Sequence, residues 1–69
     1  MANELRRRRR RKGLSLDQMA EKTGLDKGLI SRLENRHVKN PWAITLLRAA
    51  RGYGMTVQQM QDFLSGEKS

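Results

Sequence analysis

Residues 15–35 read SLDQMAEKTGLDKGLISRLEN, and the spacing of Ala20, Gly24, Ile30 and Leu33 within that stretch decides the fold. A small residue midway along one helix leaves a gap over which a second helix can cross, and Ala20 supplies it. Four residues later the chain must turn sharply with positive φ, which Gly24 takes without a Cβ clash. Ile30 and Leu33 then drop back onto the first helix of the pair. Ser15 stands where an N-cap is needed ahead of an apolar face of Leu16, Met19 and Ala20. Asp26 does the same ahead of Leu29, Ile30 and Leu33. The stretch therefore predicts a helix over 16–23, a tight turn, and a helix over 27–35 whose outward side is Lys27, Gly28, Ser31, Arg32 and Asn35.

On either side of this pair, glycine, proline and capping residues punctuate the chain, with no alternating β pattern, which predicts an all-α fold of five helices. The others fall at about 3–12, 41–53 and 57–64. The first holds Leu5 as its only apolar residue and six consecutive arginines at 6–11. It closes at Gly13, with basic residues in its last turn favourable to the helix dipole. Pro41 is read as opening the fourth helix, where its missing N–H costs nothing, and Ala43, Leu46, Leu47, Ala50 and Tyr53 as its buried stripe. Gly54 stops that helix and Thr56 caps the fifth, whose Val57, Met60, Phe63 and Leu64 recur at helical spacing. With Met55 preceding them, these read first as core, the methionines filling gaps.

With 69 residues, the chain is read as one small domain over 1–69, and such a domain buries only about 60% of the surface its unfolded chain exposes. It has no cysteine, so packed helices alone supply the core. A net charge of +8 makes nucleic acid, an anionic membrane surface or an acidic protein the candidate partners. No apolar run approaches the roughly 18 residues of a membrane span, and no signal-peptide pattern follows the basic start, so a cytoplasmic location is expected. The seven carboxylates form no close pair of catalytic type, and no nucleophile has a neighbouring base, so an enzyme is not expected. A lone histidine, His37, makes no metal site. No cofactor, small-molecule substrate or membrane is expected.

Discriminating sequences in duplex DNA requires side chains that reach base edges in the major groove, and a single α-helix fits there. On the helix over 27–35, Arg32 can donate two parallel bonds to guanine, Lys27 can reach a base or a phosphate, and Ser31 works at close range. Gly28 lets the backbone approach the groove. Around this reader stand groups suited to phosphate: the start of the preceding helix at Ser15, Leu16 and Gln18, then Asn35, and the basic loop with Arg36, His37 and Lys39. His37 is either a phosphate neighbour or simply exposed. The arginines at 6–11 have three readings, a solvated face, a source of diffuse attraction to phosphate, or a targeting or cell-penetrating signal.

Ala20-x3-Gly24, the run Ile30-Ser31-Arg32-Leu33-Glu34-Asn35, and Asn40-Pro41 together resemble the phage Cro/C1-type helix-turn-helix, often called the XRE family, from Leu5 to Phe63. The resemblance implies a compact five-helix, lambda-repressor-like DNA-binding domain with its helix-turn-helix in the second and third helices. It implies a prokaryotic or phage-encoded transcriptional regulator of the repressor kind, acting as a homodimer on a near-palindromic stretch of double-stranded DNA. It also implies a partly buried pair between Arg9 and Glu34, and dimer contacts at Val57, Gln58 and Gln61. Four features depart from the pattern. Leu16 stands where glutamine is usual, and Arg8 replaces an apolar residue, its stem able to lie over the core. Gly52 replaces a better helix former, and Trp42 and Ile44 are unusually apolar, pointing to a loosened core, an added interface, or both. Trp42 and Ile44 have three open uses: covering the core's edge, touching DNA or meeting a partner. Two rival readings are a protein-interaction or antitoxin-like module using its basic face on an acidic partner, and a binder of membranes or RNA led by the arginine helix.

Overall fold

The computed structural model describes residues 4–38 and 40–66, within which the chain forms five helices and no strand. They are α1 (Glu4–Arg11), α2 (Leu16–Thr23), α3 (Lys27–Glu34), α4 (Ala43–Tyr53) and α5 (Val57–Ser65). The first N–H groups of a helix have no partner inside it, and side chains supply the partner at three of the starts. Ser15 Oγ accepts from the Gln18 N–H at 3.1 Å while Gln18 Oε1 accepts from the Ser15 N–H at 2.8 Å. Thr56 and Gln59 repeat this reciprocal box at 3.0 and 2.9 Å. Asp26 Oδ2 accepts from the Gly28 N–H at 2.9 Å. Between α2 and α3, Gly24 sits at φ 74° and donates to Ala20 O at 2.8 Å, the left-handed turn that the spacing requires.

Every helix contributes to one core. Leu5 comes from α1, Met19 from α2, and Ile30 and Leu33 from α3. Leu46, Ala49, Ala50 and Tyr53 come from α4, and Met60, Phe63 and Leu64 from α5. Leu14, Leu16, Ala20, Leu25, Leu29, Val38 and Met55 pack against its edge.

Several local expectations change. The helix expected from Pro41 begins at Ala43, because Trp42 holds an extended ψ of 149°. Its carbonyl accepts the first helical bond, from the Leu46 N–H at 2.9 Å. The buried stripe of α4 is Leu46, Ala49, Ala50 and Tyr53, an i, i+3, i+4, i+7 row, rather than one including Ala43 and Leu47. Ala43, in the first turn, is exposed, and Leu47, one residue off the row, is half-buried. Val57, expected in the core, is 38% exposed, since it occupies the first turn of α5 ahead of the residues that face inward. Asn35 caps α3 from just outside it. The expected start of the first helix at residue 3 lies outside the described residues.

Gly52 does the opposite of loosening the core. It is buried, and a Cβ built there would run into Thr23 Cγ2 and come within 3.3 Å of Met19 Sδ. The missing side chain is what lets α4 press against α2, a tertiary gain set against the weaker helix propensity of glycine.

Candidate nucleic-acid interface

An ionised carboxylate inside a core is tolerated only when charge and hydrogen bonds compensate it. Glu34, at the end of α3, is 1% exposed. Arg9 grips it with two parallel bonds, Nε to Oε2 at 2.7 Å and Nη2 to Oε1 at 3.2 Å. The Tyr53 hydroxyl donates to Oε2 at 2.6 Å, and Arg6 Nε lies 3.8 Å from Oε1. Arg9 Nη1 also donates to Leu14 O at 2.9 Å, tying in the connection before α2. The hydrogen bond to Glu34 raises the pKa of Arg9. Burial first, and then the bond to Glu34, pushes the Tyr53 hydroxyl far above its ordinary range. Among the described residues no buried side-chain N or O lacks a hydrogen-bond partner. The last turn of α3 is thus fixed to α1, to the α1–α2 connection and to α4.

The opposite side of α3 carries the candidate readers. Arg32 is exposed, and its side chain runs back along the helix, with Nη1 3.5 Å from where a Gly28 Cβ would stand. That same Cβ would come within 2.9 Å of Asp26 Oδ2, so Gly28 also leaves space for the capping carboxylate. Lys27 Nζ lies 3.4 Å from Asp17 Oδ1 in a surface pair with more than half of each side chain in solvent. Ser31 is half-buried, and its carbonyl accepts from Asn35 Nδ2 at 2.9 Å. Asn35 Oδ1 in turn accepts from Arg6 Nη2 at 3.4 Å, linking the end of α3 to α1.

The phosphate candidates divide. Ser15 and Gln18 are exposed, and their box leaves them at the start of α2. Leu16, beside them, packs against the core's edge, so only its backbone is offered there. Arg36 takes φ 58° and places its guanidinium carbon 4.3 Å above the Phe63 ring. It clamps the loop to α5 as well as carrying charge. The His37 N–H donates to Arg32 O at 2.8 Å, and the residue is exposed. Lys39 lies outside the described residues.

The arginine run separates by helical phase. Arg9 and Arg6 turn to Glu34, while Arg7 and Arg8 pair with Glu4 at 2.8 and 2.6 Å. Those pairs, led by the Arg8 hydrogen bond, lower the pKa of Glu4. Arg8 also donates to Gly54 O at 3.1 Å, closing the end of α4 rather than lying idle over the core. Arg10 and Arg11 are exposed and form no ion pair among the described residues.

Of the dimer candidates, Val57, Gln58 and Gln61 are all exposed on α5, with Gln58 Nε2 donating to Asp62 Oδ1 at 3.0 Å. Trp42 at 84% and Ile44 at 56% stand out in solvent and do not cover the core. Among the described residues no cluster of three metal-ligating side chains occurs, and no helix is long and apolar enough to cross a membrane. The spacing missed the Tyr53 hydroxyl, although a tyrosine in an otherwise aliphatic buried stripe carries a donor that must find an acceptor.

Comparison with known proteins places the sequence against one family: the family model for a helix-turn-helix domain matches residues 1–63. No curated protein and no solved structure matches the chain significantly.

Proposed function

We infer that this chain, which belongs to the helix-turn-helix domain family, is a sequence-specific transcriptional regulator that sets α3 into the major groove of double-stranded DNA. Family membership implies binding to DNA. One observation carries the finer reading. The inner side of α3 is locked by Ile30, Leu33 and the buried Glu34, while its outer side presents exposed Arg32 and Lys27 with only a surface ion pair to give up. A stiff helix with a cationic, polar outer face has the form that reading base edges requires.

In this reading Arg32 donates its fork to guanine, Lys27 and Ser31 reach neighbouring positions, and Gly28 lets the backbone come close. Releasing Lys27 from Asp17 costs about 0–1 kcal/mol, small beside a base contact. The N–H groups at the start of α2, with Asn35, Arg36, His37 and Lys39, position the duplex through its phosphates. Two copies, meeting through the exposed side of α5 at Val57, Gln58 and Gln61, read half-sites about one helical turn apart on a near-palindromic operator. Repression by occupancy in a prokaryotic or phage-infected cytoplasm is the action that fits.

Selection of bound duplexes from a random pool, with stoichiometry measured, tests this. The expected result is a palindromic consensus bound two to one. Arg32→Ala then relaxes one base-pair position of each half-site, whereas Lys39→Ala weakens all sequences alike. No consensus at moderate salt, or the same uniform loss from both substitutions, would overturn it.

A further inference from the structure

Where α2 and α4 cross, a notch of about 240 Å³ is lined by Lys22, Thr23, Arg48, Arg51 and Gly52. None of these residues belongs to α3 or to the loop that follows it. At its base Gly52 brings no side chain to the crossing, and Thr23 Cγ2 occupies the space that a Cβ there would take. Arg48 and Arg51, three apart on α4, share a face, and Lys22 faces them from the last turn of α2. Arg48 Nη1 reaches to 3.3 Å from where a Gly24 Cβ would stand.

The lining has three cations and no carboxylate. None of the three is in an ion pair within the described residues, so no carboxylate competes with a bound anion for their charge. The one neutral hydroxyl is already used: Thr23 Oγ1 donates to Met19 O at 2.8 Å and accepts from the Leu25 N–H at 3.2 Å. What remains is a rim of charged donors over a floor without side-chain acceptors. It suits a small group rich in acceptor oxygens, and two arginines present the fork geometry that matches a phosphoryl group. The volume lies below the roughly 300–1,000 Å³ of pockets for drug-sized ligands, which favours a single compact anion.

We propose that this notch is a second oxyanion site, holding a phosphoryl group through Lys22, Arg48 and Arg51 independently of α3. The group is either a phosphodiester of a nucleic-acid strand or a free phosphate ion. The two share one chemistry and separate by experiment.

The test is a nuclear magnetic resonance titration of the chain with inorganic phosphate, against sodium chloride at matched ionic strength. Saturable shifts are expected at Lys22, Thr23 and Gly52 with phosphate alone. Arg48→Gln with Arg51→Gln weakens them by about tenfold or more, as loss of charge-assisted bonds requires. Both arginines are exposed, so the fold is expected to persist, and Lys22→Gln supplies an independent variant. Arg32→Ala leaves the phosphate response intact, which keeps this proposal separate from DNA reading by α3. Shifts equal to those with chloride, shifts centred on α3, or shifts undiminished in all the rim variants would overturn it. A short duplex then identifies the source. Displacement of phosphate from the notch assigns a phosphodiester, and shifts confined to α3 assign the free ion.

Discussion

The two sides of α3 use the same kinds of residue for opposite ends. Inward, Glu34 is held by Arg9 and Tyr53 at 2.6–3.2 Å and is almost wholly removed from solvent. Outward, Lys27 meets Asp17 at 3.4 Å with both side chains largely in water. Charge on the inner side determines where the helix sits and at what angle. Charge on the outer side is left available, because a weak, solvated pair is readily exchanged for a stronger one. A recognition element needs both, since loose backing would blur whatever the outer face distinguishes.

The sharpest way to break this contrast is Arg9→Met, which takes from the buried Glu34 its two closest charged bonds, at 2.7 and 3.2 Å, with Arg6 standing farther off at 3.8 Å. A loss of about 3–5 kcal/mol is expected, against roughly 3–10 kcal/mol for the whole of a 69-residue chain. Thermal melting followed by circular dichroism should therefore show a protein unfolded or nearly so. Adding Glu34→Leu should recover part of the loss, because the stranded charge goes with it. An Arg9→Met protein that melts like the parent would remove the distinction between the two sides.

Next in size, Tyr53→Phe deletes a bond to a charged acceptor and is expected to cost about 1.5–3 kcal/mol. It should also change the alkaline limb of the stability curve. The folded state holds the Tyr53 proton far above the ordinary value of 10.0. The unfolded chain releases it first, so this contribution is complete below about pH 10 and declines as the pH rises further. Denaturant titrations across that range should show a shallower decline for Tyr53→Phe than for the parent. Identical slopes would mean that the hydroxyl is not held as described.

Gly52→Ala comes third. Crowding against Thr23 and Met19 costs about 1–3 kcal/mol, and better helix propensity returns at most about 1 kcal/mol, so a net loss is expected in the urea midpoint. A gain in stability would show that α2 and α4 can part without cost. On the outer side, Arg32→Ala should move stability by no more than about 0.5 kcal/mol. Its effect belongs to binding, a loss of about 1–3 kcal/mol of discrimination at one base-pair position, read from competition among single-substitution duplexes. A melting shift as large as that of Tyr53→Phe would mean that Arg32 holds the fold instead.

Much of this arrangement is legible in the sequence itself, and for local reasons. Caps, turn glycines and helical spacing act within a few residues, so Ser15, Gly24, Asp26 and Thr56 announce the helices they bound. The pairing of Arg9 with Glu34 joins residues 25 apart in the chain and was readable only through resemblance to a family. Gly52 was misread because propensity is a property of one helix, whereas its role belongs to the contact between two. Pro41 reads as the first residue of α4, two positions ahead of the observed Ala43, because its fixed φ suits both a helix start and the extended approach to one. The division of the arginines was hidden for a similar reason. A run of identical letters carries no phase until Leu5 and Glu34 say which side is inward.

Arg36 leaves α3 in a conformation that costs a non-glycine residue on the order of 1 kcal/mol, and its guanidinium rests on Phe63 of α5. The exit from α3 is therefore fastened to α5, the helix on which a second copy is proposed to dock. α5 also shares the core with Ile30 and Leu33 of α3, so the stacked Arg36 is an added tie that holds the loop after α3 to the same helix.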